Sequence, residues 1–261
     1  MQKPIWLIKI SGAVIDDAHA LTAFCEVVAK VSQDVHIIIV HGGGLVIDRW
    51  MEQADLTIEK YEGMRKTTAE AMPYVAGVLA GYMNKSLVAS LMKHRCSSIG
   101  LSLADGQMLE TPSQNADPLG LVGYPALSDN ANMNWINLLI ENQQIPVISS
   151  VGCDQNFNLV NVNADDAACA LANTFNVDKV FLITNAEGVL DQDQQRIPQL
   201  AISQIKALVA TGVVSDGMIA KLQSVRTLLE KKPCEVFIAN LEGLQQKSLS
   251  QSKECGTQVV L

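Results

Sequence analysis

The feature that most constrains this chain is a series of short apolar, β-rich runs: IWLIKI (5–10), HIIIV (36–40), SIGLSL (98–103), PVISSVG (146–152), KVFLIT (179–184) and EVFIA (235–239). A strand wetted on one face alternates polar and apolar residues. Strands that stay apolar through their length are covered on both faces, which is the habit of parallel sheets. Helical patterns separate these runs. Leu21, Phe24, Val27, Val28 and Val31 fall on one face of a helix for which Asp16 or Asp17 is the N-cap. Further helices are expected from Val46 through Trp50, from about Thr68 to His94, at Trp135, Leu138 and Leu139, from near Ala164, and over 202–210 and 217–231. QVVL (258–261) closes the chain as a strand, and Gln107 to Leu127 reads as an antiparallel excursion with turns at Asn115–Asp117. This alternation predicts an α/β fold, a mainly parallel sheet with helices on both faces. Ligands of such sheets bind beyond the carboxyl ends of the strands.

Composition narrows the partners. A net charge of −8 argues against nucleic acid and against an anionic membrane, both of which call for clustered Lys and Arg. The six cysteines form no C-x-x-C pair and the four histidines are scattered, so no zinc pattern is present. No apolar run approaches the ~18 residues of a membrane span, and MQKPIWLIKI lacks the features of a signal peptide. The expectation is a cytoplasmic protein with reduced thiols, Cys153 and Cys169 serving as packing residues. Gly42-Gly43-Gly44-Leu45-Val46-Ile47 lacks the third glycine of a dinucleotide fingerprint, and GVLAGYMNKS (77–86) lacks the Walker spacing. Gly77 and Gly81 suggest close packing of two soluble helices, in a stretch too polar to span a membrane.

The strand ends carry the candidate chemistry. Strand one ends Lys9-Ile10-Ser11-Gly12, and strand two ends His41-Gly42-Gly43-Gly44. Consecutive glycines expose backbone N–H groups, and the following helix start adds partial positive charge, which suits an oxyanion; a tight turn without a ligand fits equally well. Lys9 and Lys221 fit either a site or a solvated surface. Arg65, in YEGMRKT, can grip a carboxylate in a fork or cap a loop. Asn161, Asn163 and Asp165, in LVNVNADDAA, lie at a strand-to-helix junction, where Asn163 reads as an N-cap.

In their order along the chain these pieces are more specific. A Lys-bearing first strand, H-G-G-G, G-M-R, A-G-x-x-N-K, P-V-I-S-S-V-G, N-V-N-A-D, E-G-V-L-D, D-G-M-I-x-K and a terminal C-G-T together resemble the amino acid kinase family, from residue 5 to the C-terminus. The resemblance is to members that phosphorylate the side-chain carboxylate of N-acetyl-L-glutamate with ATP, in arginine biosynthesis. It implies a three-layer αβα sandwich with an acyl-amino acid lobe, residues 1–176, and an ATP lobe, residues 177–261. It implies that Gly43 and Gly44 receive the side-chain carboxylate while Arg65 and Asn161 hold the α-carboxylate. Lys9 and Lys221 flank the moving phosphoryl group, and Asp165 holds both. Gly12, Asn185, Ala186, Glu187, Gly188, Val189, Leu190, Val213, Val214 and Ser215 line the nucleotide site, and Mg²⁺ rides on the ATP phosphates with no protein metal site. A carboxylate acceptor is ionised at neutral pH and needs no general base.

Two positions depart from the family pattern. Ser11 replaces a glycine, and Asn185 replaces an aspartate. Arginine-inhibited relatives carry an added amino-terminal helix for which this chain has no room, so a homodimer insensitive to arginine is expected. The alternatives are a kinase for a related acyl-amino acid such as N-acetyl-aminoadipate, or a non-catalytic nucleotide or amino-acid sensor.

Overall fold

The computed structural model describes residues 3–61, 64–114, 118–126, 134–210, 212–214, 216–249 and 255–261. The strands are β1 (Ile5–Ile10), β2 (His36–His41), β3 (Lys60–Tyr61), β4 (Met64–Arg65), β5 (Ser98–Ser102), β6 (Val122–Gly123), β7 (Ile145–Ser149), β8 (Val151–Cys153), β9 (Leu159–Val162), β10 (Lys179–Ile183), β11 (Gln199–Ala201), β12 (Glu235–Ala239) and β13 (Thr257–Val260). The α-helices are α1 (Gly12–Asp16), α2 (Ala18–Val31), α3 (Gly44–Gln53), α4 (Met72–Ala76), α5 (Asn84–Lys93), α6 (Asn134–Glu141), α7 (Ala164–Thr174), α8 (Ile205–Ala210), α9 (Asp216–Lys231) and α10 (Leu241–Leu249).

Eight strands form one sheet in the order β11-β13-β12-β10-β1-β2-β7-β5, and every pairing is parallel except β12 with β13. Successive side chains of a strand point to opposite faces, and here each face is apolar. Leu7, Ile38, Val40, Val180, Leu182, Val236 and Ile238 pack under α7 and α9, whereas Ile8, Ile10, Ile37, Ile39, Phe181 and Phe237 pack with α2 and with α4 to α5. The result is the expected αβα sandwich. Parity also decides the placement of one charge. Lys9 shares the face of Leu7, so it projects toward α7 and α9 and away from α2.

Several details differ from the sequence expectation. PVISSVG is two strands, because the chain leaves the main sheet at Ser150 and continues as β8 in a small sheet ordered β6-β9-β8. The excursion after Gln107 is antiparallel as expected, closed by Tyr124 N–H to Pro112 O at 3.0 Å and Ala126 N–H to Glu110 O at 2.8 Å. Its predicted turn at 115–117 lies outside the described residues. Asp17, not Asp16, caps α2 by accepting from the N–H groups of His19 and Ala20. The helix expected from Thr68 begins at Met72 and includes a π-helical segment, Gly77–Met83. By length and composition alone Met72–Lys93 is sufficient to cross a membrane, contrary to the expectation from apolar runs. Val75, Val78, Leu79, Met83, Leu87 and Leu91 nevertheless bury one side of it against the sheet, as in a core helix. A Cβ on Gly77 or Gly81 would meet nothing within 4 Å, so these glycines do not serve close packing within the chain.

The triglycine turn has a steric cause. A Cβ on Gly12 would lie 2.6 Å from the Gly43 Cα, and one on Gly43 would lie 2.4 Å from the Met83 Sδ and 2.8 Å from Leu79 Cδ2. Gly42 is close to Ala164, whereas a Cβ on Gly44 meets nothing within 4 Å. Internal packing therefore accounts for Gly12 and Gly43 but leaves Gly44 facing open space. Gly12→Ala is expected to destabilise the fold by about 2–3 kcal/mol through overpacking, and Gly44→Ala by less than about 1 kcal/mol. Urea unfolding of both variants checks this, and equal losses would contradict it.

Candidate active site

Three charged side chains meet where β1 ends beneath α7 and α9. Asn163 begins α7, its side-chain oxygen accepting from Asp165 N–H at 2.8 Å and Asp166 N–H at 3.2 Å. That cap puts Asp165 in the first turn, where the helix dipole favours a carboxylate. Lys9 comes from the sheet below and Lys221 from the second turn of α9. Their ammonium nitrogens lie 2.8 Å and 2.7 Å from the same atom, Asp165 Oδ1. All three residues are buried. Sequence reasoning placed these three together from residues 9, 165 and 221 of the chain, and the structure brings them together.

Burial alone would raise the Asp165 carboxyl, but the two ammonium groups outweigh it and hold the pKa at about 2. Lys221 moves down, first through burial and then through repulsion by Lys9, with Asp165 opposing both. Two cations on one anion leave an excess positive charge in a largely dry place. Uncompensated buried charge costs several kcal/mol, so the cluster is built to receive an anion.

Lys9 and Asp165 line a cavity of about 250 Å³ that also includes Gly42, Gly43, Gly44, Lys60, Arg65 and Asn161. Elsewhere in its lining the same device recurs. Arg65, on β4, is buried with Nη2 2.5 Å from Asp48 Oδ1 and 3.0 Å from the Gly44 carbonyl. Lys60, on β3, places Nζ 2.9 Å from Asp48 Oδ2. Asp48 and Lys60 were not predicted. Asp48 sits one turn into α3 with nothing in its neighbourhood to mark it, and Lys60 lies in a two-residue strand too short for periodicity to reveal. Asn161, on β9, donates to Thr67 Oγ1 at 3.1 Å, which holds its amide at the cavity wall. A wider groove of about 670 Å³ runs between α7 and α9, but no Lys or Arg lines it, so it offers no charge to an anionic ligand.

The neighbouring strand ends form a second region. β10 pairs with β1 through Lys9 and Leu182, so Asn185 follows three residues beyond that level, past the carboxyl ends of the central strands where strand order reverses. Asn185 and Glu187 are exposed and Ala186 and Leu190 half-buried, whereas Gly188 and Val189 are buried. Thr257 explains the buried pair: its Oγ1 accepts from Val189 N–H at 2.8 Å and would lie 2.5 Å from a Cβ on Gly188. These two positions thus answer to packing as much as to a ligand. Val213 is half-buried, Val214 buried, and Ser215 lies outside the described residues. Ser11 is the backbone cap of α1 without a side-chain cap bond, and its buried hydroxyl has no hydrogen-bond partner among the described residues.

Known proteins share this arrangement of chain. Residues 4–240 match the amino acid kinase family. The chain belongs to that family. It is 34% identical over 258 residues to the acetylglutamate kinase of Colwellia psychrerythraea strain 34H, covering 98% of this chain and 96% of that one. Among solved structures it is similar to smu.665 of Streptococcus mutans UA159, at 26% identity and a TM-score of 0.80, with 98% of each chain covered. It is also similar to the N-acetylglutamate synthase of Neisseria gonorrhoeae complexed with coenzyme A and N-acetyl-glutamate. There the TM-score is 0.85 at 18% identity over 100% of this chain and 60% of the synthase, a likeness of fold.

In this amino acid kinase Cys169 lies close enough to the charged cluster to feel Asp165 and Lys221, which act on it in opposite directions. Burial raises Cys169 well above the ordinary range and also raises Cys153, so neither is activated. The cluster itself is testable. Asp165→Asn removes the group that raises Lys221, so the alkaline limb of the pH–rate profile is expected to move to lower pH. The rate is expected to fall by roughly 100-fold or more, as for loss of a preorganised electrostatic group. Lys206→Ala, on the exposed surface, is expected to change neither. An alkaline limb that stays in place in Asp165→Asn would show that the carboxylate does not govern the lysines.

Proposed function

We propose that this protein is an ATP-dependent kinase that phosphorylates the side-chain carboxylate of N-acetyl-L-glutamate, giving N-acetyl-L-glutamyl 5-phosphate in arginine biosynthesis. The observation that carries the proposal is the pairing of Lys9 and Lys221 on Asp165 at a cavity that Lys9, Asp165 and Arg65 line together. A dicarboxylate with an acylated amine matches that distribution of charge. Arg65 and Asn161 hold the α-carboxylate, and the Gly43 and Gly44 N–H groups at the start of α3 receive the side-chain carboxylate.

Phosphoryl transfer asks for alignment and for charge on the equatorial oxygens to be neutralised. Lys9 and Lys221 supply that charge from opposite sides of Asp165, which orients them and takes no proton. The acceptor oxygen is already anionic at neutral pH, so attack needs no base. Expelling water from the cavity strengthens each of these interactions. ATP extends from the lysines toward Asn185, Ala186 and Glu187, with Gly12, Leu190 and Val213 beside it. The unpartnered Ser11 hydroxyl fits this placement, since a buried donor lacking a partner is satisfied by a phosphate oxygen. Among the described residues no group of three or more His, Cys, Asp or Glu converges to hold a metal. In this reading Mg²⁺ would be carried by the nucleotide phosphates and would neutralise their charge. The acyl-amino acid lobe ends near residue 176, between α7 and β10, although β1 and β10 join both lobes in one sheet.

A cytoplasmic homodimer completes the proposal. Tyr74 and Tyr82 are exposed along the helix that carries the open Gly77 and Gly81, and Trp50 packs on Tyr82 at 5.7 Å. Sedimentation equilibrium is expected to give twice the chain mass, and a single-chain mass would reject the dimer. The activity is tested by trapping product with hydroxylamine, which converts only an acyl phosphate into a hydroxamate. N-acetyl-L-glutamate is expected to give the highest kcat/KM, N-acetyl-aminoadipate to fall roughly tenfold or more below it, and free glutamate and aspartate to give little product. Higher turnover of the aminoadipate derivative would reassign the substrate, and no turnover of any acceptor would favour a sensor.

A further inference from the structure

Behind the glycine turn lies a polar chain, buried at His41 and Asn84 and ending at the exposed Lys85, that the proposed mechanism does not use. Lys85 Nζ, which can only donate, lies 3.0 Å from Asn84 Oδ1 and 3.0 Å from the Gly100 carbonyl. That fixes the Asn84 amide with its oxygen toward the ammonium and its nitrogen toward the sheet. Asn84 Nδ2 then faces three acceptors: the Val147 carbonyl at 3.0 Å, the Leu101 carbonyl at 3.3 Å and His41 Nε2 at 3.1 Å. Opposite a donor, His41 Nε2 must be unprotonated, so the single proton of the neutral ring is on Nδ1. Nδ1 lies 3.2 Å from the carbonyl of Gly42, to which it donates. His41 is fully buried at the end of β2, and burial depresses its pKa to about 4, keeping the ring neutral.

The carbonyl that His41 holds belongs to the Gly42–Gly43 peptide. In a planar trans peptide the C=O and the following N–H point in opposite directions. Drawing the Gly42 oxygen back to the imidazole therefore turns the Gly43 N–H away from it. Met83 and Leu79, both in the π-helical segment, close on Gly43 from another side. Asn84 follows Met83 directly, so one turn of helix supplies both the packing and the hydrogen-bond relay.

We propose that His41, oriented by Lys85 and Asn84, is a positioning residue that aims the Gly43 N–H at the acceptor carboxylate. The proposal rests on the kinase reading for its kinetic readout but not for its hydrogen-bond pattern. Two variants separate the ring's two nitrogens. In His41→Asn the amide nitrogen reaches the place of Nδ1 and can still donate to Gly42. In His41→Gln the amide reaches the place of Nε2, keeping a partner for Asn84 but losing the donor to Gly42. His41→Gln is expected to lose roughly tenfold or more in kcat/KM for the acceptor carboxylate, while KM for ATP stays within about twofold. His41→Asn is expected to retain kcat/KM within about threefold, even where its thermal stability falls as far as that of His41→Gln. Equal losses in both variants, or a loss carried by the ATP KM, would make His41 a packing residue only. Long-range ¹H–¹⁵N correlation on the unaltered protein gives a readout that needs neither variant to fold nor any substrate. A neutral Nδ1–H tautomer is expected, and an Nε2–H tautomer would overturn the proposal whatever the enzyme phosphorylates.

Discussion

One carboxylate oxygen shared by two ammonium groups organises this molecule. Asp165 Oδ1 lies within 2.8 Å of Lys9 and Lys221, and among the described residues neither lysine forms a second ion pair to balance the sum. Such a triad survives burial only where the surrounding frame fixes it. The frame is the central pairing of β1 with β2 and β10, which sets the height of Lys9, and the packing of α7 on α9, which sets Asp165 against Lys221. Because strand parity sends Lys9 to the α7 side, the apolar alternation of β1 and the position of its one charge are a single structural fact. Shifting β1 by one residue would bury Lys9 beneath α2 and leave Asp165 with one partner.

The anchoring of Arg65 obeys the same rule at lower cost. Asp48 is one turn into α3, and its two oxygens hold Arg65 and Lys60 from the β3–β4 hairpin. Lys60 is half in solvent and so is worth little to stability by itself. Its consequence is geometric, since two cations on one carboxylate fix the hairpin relative to the start of α3. The glycine turn, the hairpin and the α7 start thereby keep constant spacing, which an in-line transfer between two fixed charges requires.

How far the sequence revealed this differs from element to element. β1, β2, β10 and β12 were legible because continuous apolar runs have few other uses, and Asn163 because Asx residues before a helix satisfy otherwise orphaned N–H groups. The π-helical segment at Gly77–Met83 was not legible, since no periodicity distinguishes one inserted residue in an amphipathic helix. β11 and α10 were missed for want of length or amphipathic contrast. Among the site residues, Lys9, Asp165 and Lys221 were identified through the order of motifs along the chain and not through any local signal. Asp48, Lys60 and the His41–Asn84 contact depend on tertiary approach alone. Gly12 and Gly43 looked like ligand-binding glycines, and half of that impression was packing, since they touch each other.

This last point bears on how the site selects its acceptor. A pocket that recognises an apolar chain by volume discriminates one methylene by only ~1–3 kcal/mol. The cavity described here sets Lys9, Lys60 and Arg65 among apolar walls from Ile47, Met64, Leu79, Val122 and Val162, so in the proposed reading chain length is measured as the separation of two carboxylates held by these cations. If Arg65 holds the α-carboxylate as proposed, a longer acceptor has to buckle to keep both ends engaged, losing alignment at the phosphoryl group before it loses binding there. Discrimination should then appear in kcat more than in KM, because the penalty falls on the geometry of transfer and not on the grip of the far carboxylate.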